Sequence, residues 1–281
     1  MRKSDTVKAH VLNMCLKKPL YIDFIDKAYN DFNKLLDKSE KILKIGNLKL
    51  NDNIARFGLP EHVTCSCKCK GCYACKQLFQ GVAISRLKNL FLIEHVLNMP
   101  EYTKKFINKI NLELGMHVAM CKYLGLKPIM RWHDSGDIYN IEYLQLMLKI
   151  AGLNPDVKFY TYTKNIKIWE YYKNLKNGGN IPQNFNIVSS WLYGRNNIFD
   201  FVHNFKDEFK SLKECVKKAR KDRKKIFICN YNIDKIMPEN REKLYKYIDK
   251  NNDIIACNKY HKACGKCVKC CSYEYVIFIK H

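Results

Sequence analysis

No run of apolar residues in this sequence approaches the ~18–20 needed to span a bilayer. The opening stretch, MRKSDTVKAHVLNMCLKKPL, has neither an uninterrupted apolar segment nor a small-residue cleavage site, so no signal peptide is expected. The expectation is a cytoplasmic protein with no membrane partner, in a reducing compartment where structural disulfides are rare. Internal repeats and Pro/Gly/Ser-rich linkers are also missing, and nothing in composition cuts the chain into separate units. The phosphate-loop motif, the dinucleotide fingerprint and HExxH are absent as well. Acidic residues are scarce: 27 Asp and Glu stand against 50 Lys and Arg, a net charge of +23. Such a surface attracts phosphates through counterion release, which makes nucleic acid a candidate partner. The lysines are spread along the chain, however, and only KKARKDRKK (Lys217–Lys225) forms a dense block, which could equally be a solvated helix face.

Hydrophobic spacing predicts a helix over residues 20–45 and two more over about 77–98 and 101–124, separated at Pro100. From there the pattern alternates. Lys127–Asp134, Asp156–Thr163, Phe185–Trp191 and Lys225–Asn230 read as strands, with a fifth candidate in Glu274–Lys280. Between them lie helical stretches at Ile141–Gly152, Ile166–Gly179 and about 206–222. Strands alternating with helices of this length indicate βα units and a parallel sheet. The expected fold is α/β: a partial (β/α) barrel with parallel strands, an open doubly wound sheet being the other arrangement such a strand count allows. The expected division is an N-terminal helical region (1–56), an α/β core carrying a cysteine-rich loop (57–250) and a cysteine-rich C-terminal segment (251–281).

What the sequence has in abundance is cysteine, with 14 in 281 residues. Ten of them fall into two groups. Cys65, Cys67, Cys69, Cys72 and Cys75 lie within TCSCKCKGCYACK; Cys257, Cys264, Cys267, Cys270 and Cys271 lie within CNKYHKACGKCVKCC. Cys65, Cys69 and Cys72 stand in C-x3-C-x2-C spacing. Three thiolates on one loop can hold three irons of a [4Fe–4S] cluster and leave the fourth open to S-adenosylmethionine (SAM), the arrangement radical SAM enzymes use. The C-x-C and C-x2-C pairs made by Cys67 and Cys75 suit zinc equally well, so spacing alone leaves both metals open. Cys257, Cys264, Cys267 and Cys270 form C-x6-C-x2-C-x2-C, a spacing compatible with a closed cluster or a four-cysteine zinc site.

A second constellation is MRWHDSGDIY (Met130–Tyr139), where a strand gives way to a helix, the end at which such folds place their sites. Asp134, Ser135, Gly136 and Asp137 would present short polar groups there, able to receive an ammonium group; a helix N-cap by Ser135, Asp137 or Asn140 is the plainer alternative. Thr161, Thr163 and Lys164 close the next strand, and Ser189, Ser190 and Trp191 the one after. Their hydroxyls are candidates for SAM's carboxylate or ribose, and Trp191 for its adenine. Period-two geometry would place Arg131 and His133 on one face of their strand and Trp132 on the other.

FGLPEHVTC, CKGCYACK, RWHDSGDIYNIEYLQLMLKIAGLNPDVKFYTYTKN and the terminal cysteine series together resemble the gene product 88 family of phage and mobile-element proteins, over roughly residues 57–272. The resemblance implies a radical-SAM-like (β/α) fold carrying iron–sulfur ligands. By it, Cys65, Cys69 and Cys72 match the first-loop cysteines, Asp134–Asp137 the strand-end motif, and Thr161–Lys164 the end of the following strand. It further implies residence in a host cytoplasm, a second cluster on the C-terminal cysteines, and a reductant such as flavodoxin or ferredoxin if the chain is catalytic.

Overall fold

β-branched and aromatic residues concentrate where the strands form, and the strands assemble in sequence order. The computed structural model describes residues 3–37, 40–46, 52–66, 73–76, 78–189, 227–231, 246, 250, 254–257 and 275–279. β1 (Lys44–Ile45) runs antiparallel to β2 (Ile54–Phe57). β2, β3 (Ile129–Trp132), β4 (Lys158–Thr163) and β5 (Phe185–Ser189) then pair parallel, each with the next. A second sheet holds β6 (Phe227–Tyr231), β7 (Ile254–Cys257) and β8 (Tyr275–Ile279), parallel in the order β6-β8-β7. The fold is therefore mixed α/β with a five-stranded, mostly parallel sheet.

From residue 77 onward the described helices follow the predicted helical stretches; the helices before them do not. α1 (Lys3–Cys15) and α2 (Ile25–Asp31) precede the sheet, and the single turn α3 (Tyr73–Lys76) closes the cysteine-rich stretch. α4 (Gln80–Asn98) and α5 (Pro100–Tyr123) meet at Pro100, which opens α5 where a missing N–H costs nothing. α6 (Ile141–Leu153) starts on Asn140, whose Oδ1 accepts the Tyr143 amide at 2.8 Å. The N-cap thus belongs to Asn140, and not to Ser135 or Asp137. α7 (Ile166–Asn177) stops at Gly178 and Gly179, the latter at φ +72°.

The two faces of the main sheet differ. Ala55, Phe57, Met130, Trp132, Phe159, Phe185 and Ile187 point into the main core, which they share with Phe91 of α4, Ile110 of α5, Met147 of α6 and Trp169 of α7. Val7, Tyr21 and Phe32 from the N-terminal region complete that core. On the other face Ile54, Ile129 and Tyr160 form a separate small cluster with Tyr162. Sequential strand order explains the asymmetry. A doubly wound sheet reverses its order at a switch point, whereas β2–β5 never turn back, and crossovers of the usual right hand then put their helices on one side.

Two expectations need correction. Residues 20–45 are not one helix: a 3-10 turn (Pro19–Phe24), α2, a second 3-10 turn (Phe32–Leu35) and β1 occupy that stretch. Asn30, Asp31 and Asn33 favour turns over helix interiors, and Glu113 of α5 accepts the amides of Ile42 and Leu43 at 3.0 and 2.8 Å, fixing the chain in a non-helical path. The other correction is β2, hidden in NDNIARFGLP. It makes β3 the second parallel strand of the sheet instead of the first, with the cysteine loop between the two. The helix expected over 206–222 lies outside the described residues.

Glu113→Ala removes the acceptor of two amides in a part-buried turn and is expected to lower stability by about 1–3 kcal/mol in urea unfolding, whereas removal of an exposed surface carboxylate such as Glu142 should change it by less than about 0.5 kcal/mol.

Candidate functional site

The C-terminal ends of β2 and β3 are laced together by backbone and short polar side chains. The Asp134 amide donates to Phe57 O (3.1 Å), the Leu59 amide to Ser135 O (2.9 Å), and the Ser135 hydroxyl to Leu59 O (2.7 Å). The Asp137 amide donates to the Thr64 hydroxyl at 3.2 Å, and that hydroxyl donates to Pro60 O at 2.9 Å. Two glycines permit this approach. A Cβ on Gly136, whose φ is +79°, would lie 2.7 Å from both Leu59 Cβ and Thr64 Oγ1; one on Gly58 would lie 2.2 Å from Asp134 Oδ1. Residue 136 must be glycine on both counts, conformation and space. Asp134, lodged over Gly58, pairs with the Arg56 guanidinium.

Asp137 joins a third strand to the knot. One carboxylate oxygen accepts the Ile138 amide (2.7 Å) and the other the Lys164 amide just beyond β4 (2.8 Å). Burial pushes its carboxyl from the usual 3.8 up to about 6, against the pull of these amides and the Thr163 hydroxyl. Thr163 in turn accepts the Asn165 amide at 3.0 Å and sits in register with Ser189 at the end of β5. Asp134, Ser135, Gly136, Asp137 and Thr163 are thus brought to one rim, with Thr161 two residues down β4. The backbone of Ser189 reaches that rim; Ser190 and Trp191 lie outside the described residues.

His133 departs from strand alternation. Its φ is +61°, a left-handed conformation uncommon outside glycine. This turns the ring to the Trp132 side of the sheet, where Nδ1 lies 3.0 Å from Thr161 Oγ1 and Nε2 3.0 Å from the Tyr143 hydroxyl. The face shared with Arg131 that alternation predicts is therefore not the one His133 takes. Only 4% exposed, it is kept neutral: burial, then the Arg131 charge, lower its pKa to about 3. Arg131 stays on the opposite face, its guanidinium 5.3 Å from the centre of the Tyr162 ring.

Beneath the cysteine loop sits a charged cluster that the sequence did not disclose. Glu61 is 1% exposed and accepts from Lys18 Nζ (2.7 Å), the Tyr21 hydroxyl (2.6 Å) and Arg86 (2.6 Å). Lys18 Nζ also donates to Cys75 Sγ at 3.2 Å, and the His62 ring approaches that sulfur at 3.7 Å. The only hint was an acidic residue two positions before V-T-C; its partners come from a turn after α1 and from α4, separations no local pattern encodes. The arrangement pins the start of the cysteine loop and surrounds Cys75 with cationic and imidazole groups of the kind that favour a thiolate.

Of the cysteines expected to bind metal, Cys65 lies half-buried directly after Thr64, and Cys257 ends β7. Cys69, Cys72, Cys264, Cys267 and Cys270 lie outside the described residues, as do Cys67 and Cys271. Among the described residues no three His, Cys, Asp or Glu side chains gather as a metal site. No described helix is long and apolar enough to cross a membrane.

Fold and rim together define a mixed α/β protein whose cysteine loop opens off the end of a parallel strand. The sequence matches the family described as gene product 88 over residues 30–273, and the chain belongs to that family. No curated protein and no solved structure matches it significantly.

Two outcomes are expected at this site. Glu61→Gln leaves Lys18 and Arg86 buried without their carboxylate and should cost about 3–5 kcal/mol, read as a lowered urea midpoint. His133 has a folded pKa below its unfolded one, so its contribution to stability is complete above about 6.5 and is lost as pH falls toward about 3. Replacing it by Asn, which tolerates the left-handed backbone, should flatten the stability–pH slope in that window by up to about 1.4 kcal/mol per pH unit; an unchanged slope would mean the histidine is not held neutral.

Proposed function

We propose that the chain is a radical-SAM-like iron–sulfur protein whose main sheet is part of a (β/α) barrel. The observation that carries this reading is the seat of Thr64. The residue immediately before Cys65 accepts the Asp137 amide and packs against Gly136, so the cysteine loop starts on the strand-end motif. Two features of the fold support it. The loop follows one parallel strand and the HDSGD motif the next, and the sequential order of β2–β5 suits a barrel better than a doubly wound sheet. One cysteine of that loop, Cys75, lies against Lys18 and His62, a cationic setting that also suits the negative charge of an iron–sulfur cluster.

In this reading Cys65, Cys69 and Cys72 hold the open [4Fe–4S] cluster, and Cys257, Cys264, Cys267 and Cys270 a second, closed one. When bound, the open cluster supplies an iron that chelates SAM and the electron that cleaves its sulfonium. The chain's own part is positioning. With the Asp137 carboxylate committed to two amides, the groups the 134–137 rim offers to SAM's amino end are backbone carbonyls. Thr163 and Ser189, at the strand ends, are assigned to the carboxylate and ribose, while the Thr161 hydroxyl, buried against His133, braces the rim from beneath. Asp137 holds the three strand ends at fixed separation, and an external flavodoxin or ferredoxin delivers the electron.

A second reading, a metal-stabilised protein that binds nucleic acid without catalysis, draws on the net charge of +23. The test is reductive SAM cleavage. Dithionite-reduced protein prepared without oxygen should form 5′-deoxyadenosine, and Cys65→Ala, Cys69→Ala and Cys72→Ala should each abolish it. Salt-dependent DNA or RNA binding with no SAM turnover at full iron loading would favour the second reading.

A further inference from the structure

Polar side chains in an apolar core are costly unless their hydrogen bonds are made, and aliphatic residues fill the same space without that cost. The core face of the main sheet nevertheless holds an imidazole, two phenols and a carboxylate in one connected line. Tyr143 of α6 is 0% exposed, and His133 and Glu94 are 4% exposed each. The Tyr143 hydroxyl meets His133 Nε2 at 3.0 Å, and the Tyr143 ring stacks on Tyr139 with centroids 5.4 Å apart. The Tyr139 hydroxyl donates to Glu94 Oε1 at 2.7 Å. Glu94 Oε2 lies 3.6 Å from Nε2 of the exposed His10, which carries the line to solvent. At the other end Trp132, the last residue of β3, meets the Tyr143 ring edge-on at 6.3 Å.

The hydrogen bonds fix where the protons stand. His133 Nε2 is the one hydrogen-bonding partner of the Tyr143 hydroxyl among the described residues. Burial holds that phenol protonated well above its usual range, so it is the donor and Nε2 the acceptor. The single proton of the neutral ring then sits on Nδ1 and goes to Thr161 Oγ1 at 3.0 Å, while the Thr161 hydroxyl turns its own toward Tyr162 O at 3.5 Å. A backbone conformation costly for any residue but glycine, φ +61°, is what puts Nε2 against the phenol. A phenol bonded to an unprotonated acceptor is the arrangement from which tyrosine loses an electron most readily, because its proton has somewhere to go. Here it occurs twice in stacked rings, Tyr143 on His133 and Tyr139 on Glu94.

We propose that Tyr143 and Tyr139 form a one-electron relay by which an oxidising equivalent arriving at the rim is carried to the surface beside His10. In the first step Tyr143 gives one electron to the oxidant. Its O–H bond breaks and an N–H bond forms at His133 Nε2, leaving a neutral phenoxyl radical and an imidazolium. An organic radical that takes this electron, with a proton from solvent, ends as a C–H bond. The weak basicity of His133 is no obstacle, since a phenol radical cation is a far stronger acid than an imidazolium. In the second step Tyr139 gives an electron to the phenoxyl, which recovers its proton from His133, and the Tyr139 proton passes to Glu94. Taking an organic radical as the oxidant rests on the proposed function; the redox chemistry of the two tyrosines needs neither cluster nor SAM.

The full chain is oxidised with photogenerated ruthenium(III) tris-bipyridyl, frozen, and read by electron paramagnetic resonance. A persistent tyrosyl signal is expected. Tyr143→Phe should abolish it, and so should His133→Asn, which keeps the phenol and removes its proton acceptor. Tyr139→Phe should confine the radical to Tyr143 and change its β-proton couplings, and Tyr123→Phe, at an exposed tyrosine, should leave the signal unchanged. In unmutated protein the radical should show a proton coupling that deuterated water removes, yet be insensitive to relaxation by a dissolved nickel(II) chelate. That pair of results marks a hydrogen-bonded, buried phenoxyl, and it holds even if the variants fold poorly. The proposal is overturned if no tyrosyl signal forms, if the chelate relaxes it, or if it survives Tyr143→Phe or His133→Asn. A tyrosyl signal without 5′-deoxyadenosine formation would remove the proposed activity and leave the relay; the converse would remove the relay and leave the activity.

Discussion

The constraint on which the rest depends is the near-contact of two strand ends at Gly136. With Leu59 and Thr64 only 2.7 Å from where a Cβ would be, no other residue lets the chain leaving β3 lie against the chain leaving β2. That approach sets up the reciprocal bonds between Leu59 and Ser135, seats the Asp137 amide on Thr64, and so brings Cys65 to the rim. Asp137 extends the same lattice to the Lys164 amide beyond β4. Three strand ends and the root of the cysteine loop are held by one set of short-range bonds, which is the rigidity that a site of several weak contacts needs.

A second layer of control is electrostatic. The buried Glu61 carboxylate draws Lys18, Tyr21 and Arg86 to one point beneath the loop, tying the N-terminal region and α4 to the segment that carries the sulfur. A buried ion is tolerated only when paired and fully bonded, so this cluster specifies the loop's position more than it stabilises the fold. On the far side of the sheet Arg56 stands in register with Arg131, donates to Gly46 O and pairs with Asp134.

Much of this was legible in the sequence wherever one residue type repeats with a local period. α4 to α7 follow apolar spacing, with α4 stopping before Pro100 and α7 at Gly178, and β3 to β5 follow runs of β-branched and aromatic residues. The grouping of Asp134–Asp137 with Thr163 also followed from the rule that βα units present strand ends on one side. What could not be read was set by distant partners. β2 is four residues with an arginine in the middle and becomes a strand by pairing with β3, about 75 residues later. The 20–45 stretch has helical spacing, yet Glu113 of α5 holds its end in another path. His133 left its expected face because a positive φ outweighed alternation, and Glu61 was one acid among many until its cationic partners were placed.

The central claim is that the loop opening at Cys65 holds iron and sulfide, and metal identity tests it most directly. Protein expressed and purified without oxygen should carry iron and acid-labile sulfide in equal amounts, about seven to eight of each per chain when both clusters are filled, with roughly half lost in a Cys65/Cys69/Cys72 triple alanine variant. Zinc in place of iron, with no labile sulfide, would contradict the account.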